Sequence, residues 1–332
     1  PFQLFDDFDI GSILIGNETW SEIMQIRKQL QRPGLTFYCD KIARKRWLQE
    51  QGYPIPKVYF SKYRDELSET GNKTEIAERI LDNLPTDHGF FAKPNHMVVA
   101  AGTWMVDIDP RQKQNVKVTQ TFGRWQSDKD YNPRKCAKNL AEGLERKPFA
   151  RASYAQYQIR PGVIVEELWT NYLDRSSTPH EFGFFVIWGR VYAAVFYQVG
   201  ESRYRTGFFY RDGSPVPSCP FQKKVPDWVP WEEMIRMAES LGAKKDFIRI
   251  DFFVGLPKYA SDGEQRSANN KIQAVVNENE IAPGTSFCDR FLPEEMARLW
   301  IAGYKQGNYK VIPNNEIPSY FSSLATSTTS KQ

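Results

Sequence analysis

Two stretches that alternate with a period of two constrain this chain more than any other part of it. In Phe247-Ile-Arg249-Ile-Asp251-Phe-Phe253, Arg249 and Asp251 point to one face of a strand, and Ile248, Ile250 and Phe252 to the other. In Ile272-Gln-Ala-Val-Val-Asn-Glu278-Asn-Glu280 the same alternation sets Glu278 and Glu280 on one face. The polar segment from Gly255 to Asn270 has the length of a hairpin connection. In the simplest register Asp251 meets both Glu278 and Glu280 across that hairpin. Three clustered carboxylates repel one another unless a cation sits among them. Oxygen donors without His or Cys nearby suit Mg2+, usually delivered with a nucleotide's phosphates. The plain alternative is a solvated acidic face with an incidental ion pair to Arg249. The apolar strands around the acids, and the turn signal Pro283-Gly284-Thr285-Ser286 that follows, favour the metal site.

A chain of 332 residues, 41% hydrophobic and 14% aromatic, can bury a substantial core and is expected to form two lobes. No run of about 18 apolar residues occurs, so no membrane segment is expected. The net charge of +4, without a Lys/Arg-dense stripe, argues for an anionic small ligand and against nucleic acid. The four cysteines, Cys39, Cys136, Cys219 and Cys288, are scattered without a CxxC, which predicts neither zinc nor a disulfide framework. The start at Pro1 reads as a fragment or processed form, and the expected location is cytoplasmic. The sequons Asn17-Glu-Thr19 and Asn72-Lys-Thr74 are about as many as chance provides. The Ser/Thr-rich tail from Ser319 is expected to be disordered.

Elsewhere the pattern predicts a helix around Glu18–Leu30 and another begun by Asp40 as its cap and stopped at Gly52. Further helices are expected at Thr74–Leu84, Cys136–Glu145, Trp231–Leu241 and Pro293–Tyr304. Strands are expected at Lys57–Phe60, Gly89–Pro94, Gly162–Trp169 and on both sides of Trp188-Gly189, with a return strand ending at Ile108. The polar stretch from Asp109 to Arg134 reads as loop. Antiparallel strands with interspersed helices make an α+β chain. The expected division is a lead-in (1–35), a small lobe (36–165), a large lobe (166–312) and the tail (313–332).

Lys93 closes a buried strand and opens a small-residue loop, a common way to hold a phosphate, although strand-end lysines also simply reach solvent. Val163-Ile-Val-Glu166-Glu167-Leu168-Trp169 reads as a strand running into an inter-lobe connector. Its backbone could read an adenine edge, with Glu166 or Glu167 accepting from the amino group. Glu181 opens the next strand and suits ribose hydroxyls.

The order of these pieces resembles the ATP-grasp superfamily over roughly residues 39–305. It runs Asp40-Lys41, Lys93-Pro94 and a loop, Glu166-Glu167-Leu168, Pro179-His-Glu181-Phe182, Arg249-x-Asp251, then Glu278-x-Glu280-x-x-Pro283-Gly284. D-alanine–D-alanine ligases carry similar elements at similar spacing. The TupA-like branch, associated with teichuronopeptide synthesis, is nearest in pattern. It shares Lys93-x-Asn95-His96, Tyr157-x-Ile159-x-Pro161 and the Glu-Glu-Leu connector. The resemblance implies two lobes holding ATP between antiparallel sheets. It implies Asp251, Glu278 and Glu280 as ligands of Mg2+ (or Mn2+), Lys41 and Lys93 on ATP phosphates, Glu166 to Trp169 on adenine and Glu181 on ribose. Arg249 and Lys93 would be catalytic, offsetting charge at the transferring phosphoryl group. Arg203, Arg205, Thr285, Ser286 and His96 are the candidates for substrate contact. Two departures stand out. Met97-Val-Val-Ala-Ala101 replaces a glycine-rich lid and leaves Gly102 alone at its spacing, and Glu280 stands where many relatives have Asn.

The implied activity is amide formation between a small-molecule carboxylate and an amine through an acyl phosphate, and the TupA-like resemblance suggests joining an amino acid to a sugar or peptide carboxylate. The alternatives are a small-molecule phosphotransferase and a nucleotide-binding module without turnover. A homodimer is compatible with the sequence.

Overall fold

Residues 16–305 of the computed structural model are described here, except 30–32, 98–100, 109–115, 121–125, 128–130, 149–151, 172–178, 199–204, 218, 220–222, 259–271, 285–286 and 289. Three helices lead: α1 (Trp20–Gln29), α2 (Pro33–Cys39) and α3 (Lys41–Glu50). Asp40 starts α3 as expected, its carboxylate accepting from the Ala43 N–H at 2.9 Å. At the far end Gly52 takes a φ of 76°, which turns the chain toward Pro54 and Pro56.

The first sheet is built from β1 (Val58–Tyr63), β2 (Phe90–Pro94), β3 (Trp104–Ile108), β4 (Val116–Gln120), β5 (Gln126–Ser127) and β6 (Gly162–Glu167). Between them run α4 (Arg64–Leu67), α5 (Lys73–Leu81), α6 (Pro133–Gly143) and α7 (Tyr154–Tyr157). The strand order is β1-β6-β2-β3-β4-β5, antiparallel at each pairing. Ile76, Ile80, Phe90, Leu140 and Val165 form its core under α5 and α6. β4 and β5 fall within the polar stretch read as loop: Val116 and Val118 give β4 its only apolar positions, too few to show in a Pro/Gly-punctuated segment.

The second sheet comprises β7 (Trp169–Thr170), β8 (His180–Ile187), β9 (Arg190–Gln198), β10 (Arg205–Tyr210), β11 (Phe247–Pro257) and β12 (Gln273–Glu280). Its order is β10-β9-β8-β11-β12, with β7 on β11, and it is antiparallel at each pairing. Trp188 and Gly189, with φ of 50° and 81°, make the tight β8–β9 turn that the sequence placed there. Helices α8 (Trp231–Gly242) and α9 (Phe291–Lys305) complete this lobe. The larger core joins Phe184, Phe247 and Phe252 of the sheet to Trp300 of α9 and to Trp20, Phe37 and Leu48 of the leading helices. The fold is therefore α+β with two antiparallel sheets, as the alternation predicted.

One buried polar cluster fixes the site strands. Arg27 of α1, 2% exposed, donates to the carbonyls of Phe247 and Ile281 and pairs with Asp246, which also accepts from Trp300 Nε1. Those two carbonyls lie at the ends of β11 and β12 nearest the acids. Burial brings the guanidinium's pKa down to about 9, which leaves it charged at neutral pH. Among the described residues no helix is long and apolar enough to cross a membrane.

Candidate active site

β11 and β12 pair so that Asp251 lies opposite Glu278 and Arg249 opposite Glu280. The expectation that Asp251 would meet both glutamates is thus half right. With a period of two each residue has one direct partner, so Glu280 falls two pairs along, against an opposite charge. An irregularity after Asp251 leaves Asn277 out of register, with Phe252 opposite Val276. Arg249 grips Asp251 with its planar fork, Nε to Oδ1 at 2.6 Å and Nη2 to Oδ2 at 2.7 Å. Both side chains are buried. The fork needs space, and Gly183, opposite Asp251 on β8, provides it. A Cβ there would lie 2.8 Å from Asp251 Oδ1 and 3.0 Å from Arg249 Cδ. Glu181, two residues from Gly183, presents a fourth carboxylate to the same face.

The other sheet supplies lysines. Lys93, at the end of β2, places Nζ 2.7 Å from Glu278 Oε1 and 3.2 Å from Glu166 Oε2. Lys45 holds the other Glu166 oxygen at 2.8 Å. Lys41, one turn earlier on α3, donates to the Met97 carbonyl at 3.0 Å. Burial alone would raise the Glu278 carboxyl, but the charges of Lys41 and Lys93 outweigh it and hold the pKa at about 2. Burial likewise opposes the charge on Lys93, and Glu166 and Glu278 overcome it, so its pKa rises. Sequence reasoning did not nominate Lys45 for the site. Its signal was the four-residue spacing from Lys41, which puts both on one helix face.

The connector is held on both sides. Glu166, 2% exposed, turns its carboxylate to Lys45 and Lys93. Glu167 accepts from Trp169 Nε1 at 3.0 Å, and the Leu168 carbonyl accepts from the Lys258 N–H at 2.8 Å. His96 is buried and donates Nε2–H to the Arg146 carbonyl at 2.8 Å, which leaves Nδ1 with the lone pair. Asn95 ties the loop after β2 to α3, accepting from the Ile42 N–H at 3.0 Å and donating to the Arg160 carbonyl at 3.1 Å. Arg205 lies on edge strand β10. Arg203, Thr285 and Ser286, and residues 98–100 of the lid, fall outside the described residues.

One expectation is overturned. Cys219 and Cys288 form a disulfide across 69 residues, with Cα atoms 5.4 Å apart, while Cys39 and Cys136 are free. Scattered spacing carries no information about such a pair, because the sheet and the loop beyond β12 bring the two together only after folding.

Among the described residues no three His, Cys, Asp or Glu side chains stand together as a ready metal site. Arg249 and Lys93 instead neutralise two of the acids. The donor set still fits a hard divalent ion. Glu181, Asp251, Glu278 and Glu280 share one face and offer only oxygens. Glu181 is pushed up to about 8, by burial first and then by the charges of Asp251 and Glu278.

No family model matches this chain, and no curated protein matches it. Solved structures resemble it at low identity. A D-alanine–D-alanine ligase from Bacillus anthracis complexed with ATP is 11% identical with a TM-score of 0.42, over 83% of this chain and 68% of that one. The D-cycloserine synthetase DcsG is 13% identical with a TM-score of 0.43, over 87% and 80%. The ATP-grasp ligase PsnB complexed with minimal precursor is 12% identical with a TM-score of 0.37, over 83% of this chain and 63% of that one. Likeness this distant transfers no residue's role to this chain.

Proposed function

We propose that this chain is an ATP-grasp ligase of the TupA-like type, joining a carboxylate to an amine at the expense of ATP. The observation that carries the reading is the contact of Lys93, from one sheet, with Glu278, from the other. That contact joins the cationic and acidic halves of the motif series across the two sheets, which supports a shared site. Lys41, Lys45 and Lys93 offer three ammonium groups on the first-sheet side of it, suited to a polyphosphate. Asp251, Glu278 and Glu280 would hold Mg2+, which would supply positive charge to draw electron density from the reacting phosphates.

In this reaction a substrate carboxylate oxygen attacks the γ-phosphorus, and the bond to the β–γ bridging oxygen breaks, giving ADP and an acyl phosphate. The amine nitrogen then attacks the acyl carbon. Phosphate leaves with the C–O electron pair and the amine gives up a proton. Arg249, fixed by its fork to Asp251, is poised to offset the charge that develops on the transferred group. His96 Nδ1 is the candidate acceptor of the amine's proton. Glu181 suits ribose hydroxyls, and the backbone from Glu166 to Trp169 the adenine. Glu166 itself serves better as the anchor of the lysines, since its carboxylate is already engaged by both.

Hydroxylamine should intercept the acyl phosphate as a hydroxamate, and ADP release should require a carboxylate substrate. ATP binding without ADP release across a broad panel of acids and amines would overturn the ligase reading. Glu278→Gln should lower metal-dependent ATP use by about 10²-fold or more, the scale of losing one electrostatic contact to the reacting charge. Retained activity would remove these acids from the mechanism.

A further inference from the structure

Lys93 touches an acid on each sheet, and those contacts form an alternating chain, Lys45–Glu166–Lys93–Glu278. The side chains of Lys45, Glu166 and Lys93 are 3%, 3% and 6% exposed, while that of Glu278, at 27%, is the most exposed of the four. An ammonium 2.7 Å from Glu278 Oε1 occupies a lone pair that a metal would use, and its charge repels an arriving cation. The same ammonium is a natural partner for phosphate oxygens. The two demands on Lys93 compete.

We infer that Lys93 is a stopper on the metal site: Glu278 takes a divalent cation tightly only when a phosphate-bearing ligand draws Lys93 away, so that nucleotide and cation bind with positive coupling. This rests on the ATP-site reading above and adds the rule by which the site fills. Lys45 and Glu166 are positioning residues in the same device. Glu166, neutralised on one oxygen by Lys45, keeps the other for Lys93, which therefore stays charged and anchored in the buried cleft when it releases Glu278. Coupling of this kind is reciprocal, so the cation tightens nucleotide by the factor with which nucleotide tightens the cation.

The test is binding of Mn2+ to nucleotide-free protein, read by the EPR signal of free Mn2+, for the unmodified chain, Lys93→Met and Lys93→Gln. Both variants should bind Mn2+ alone on the order of tenfold tighter, a usual size for such coupling, and ADP, with its own chelation of Mn2+ subtracted, should tighten Mn2+ by a larger factor in the unmodified chain than in either variant. Adding Glu278→Gln to Lys93→Met should abolish the gain, which assigns it to that carboxylate. If both Lys93 variants melt cooperatively yet bind Mn2+ no tighter than the unmodified chain, the stopper is disproved. If the unmodified chain binds no ADP, the nucleotide reading fails separately, and the nucleotide-free arm still decides the role of Lys93.

Discussion

Asp251 is buried and held through both oxygens by Arg249, so the fate of that carboxylate depends on one side chain. Arg249→Met leaves it without a counter-charge beside Glu278, and stability should fall by about 3–5 kcal/mol, as for other broken buried pairs. Arg249→Lys should recover only part of this, since an ammonium cannot make the fork. Urea midpoints measure both, and an unchanged midpoint in Arg249→Met would show the pair to be idle. Glu181 gives a pH signature. Its carboxyl is raised from an ordinary 4.5 to about 8 by burial and then by Asp251 and Glu278. Between those values the native state keeps a proton that the unfolded chain has released, so stability declines as pH rises through that window. Glu278 runs the other way: the stability it gives is present above 4.5 and is lost as pH falls toward about 2. Melting temperatures in metal-free buffer should therefore drop from pH 5 to pH 8, and Glu181→Gln should flatten that slope. An equal slope in the variant would place the titration elsewhere. The shared faces of Arg249 with Asp251 and of Glu278 with Glu280 were legible at this scale because strand alternation fixes them, and Lys93 was nominated from its place at a strand end. Which cation serves which acid was not, because that depends on distances between sheets.

At the scale of the element, β8 shows how a strand is shaped by its neighbour's chemistry. Gly183 has no side chain to contribute, yet it is the position that admits the Arg249–Asp251 fork. Gly183→Ala should cost about 1–3 kcal/mol as overpacking and should weaken the proposed ATP use, because the clash falls on the fork itself. Native stability and activity in that variant would mean that the fork can shift without consequence. Helix α3 was read correctly from its cap, and the turn at Trp188-Gly189 from its composition. Helix α5 ends at Leu81, three residues before the expected Leu84, and α9 starts at Phe291 rather than Pro293. Helix ends fray by this much, since the last turn lacks its own hydrogen bonds. β4 and β5 escaped notice for a different reason: β4 is held by pairing with β3 and β5 by pairing with β4, which single-segment patterns do not record.

At the scale of the whole molecule, long-range ties join what the chain separates. The Cys219–Cys288 disulfide closes a span of 69 residues that contains β11 and β12 and returns just past the acids. Cys219→Ser should lower stability by about 2–4 kcal/mol in non-reducing buffer, and reductant should bring the unmodified chain down to the same level. Equal stability of all three states would show that the bond does not constrain the unfolded chain. Arg27 acts over a longer range, 220 and 254 residues, without a covalent bond, carrying the leading helix to the ends of both site strands. The sequence by itself determined the α+β class, the capped helix α3, the hairpin with its acids on one face, and the order of motifs that resembles the ATP-grasp pattern. Each of these follows from interactions within a few residues or from the parity of a strand. Only the tertiary structure decided that Lys93 bridges Glu166 and Glu278, that Lys45 completes the chain, that Glu280 faces Arg249, and that two scattered cysteines meet. Those contacts join residues dozens to hundreds of positions apart, and burial, which makes each unpaired charge costly, selected their partners only once the two sheets were packed.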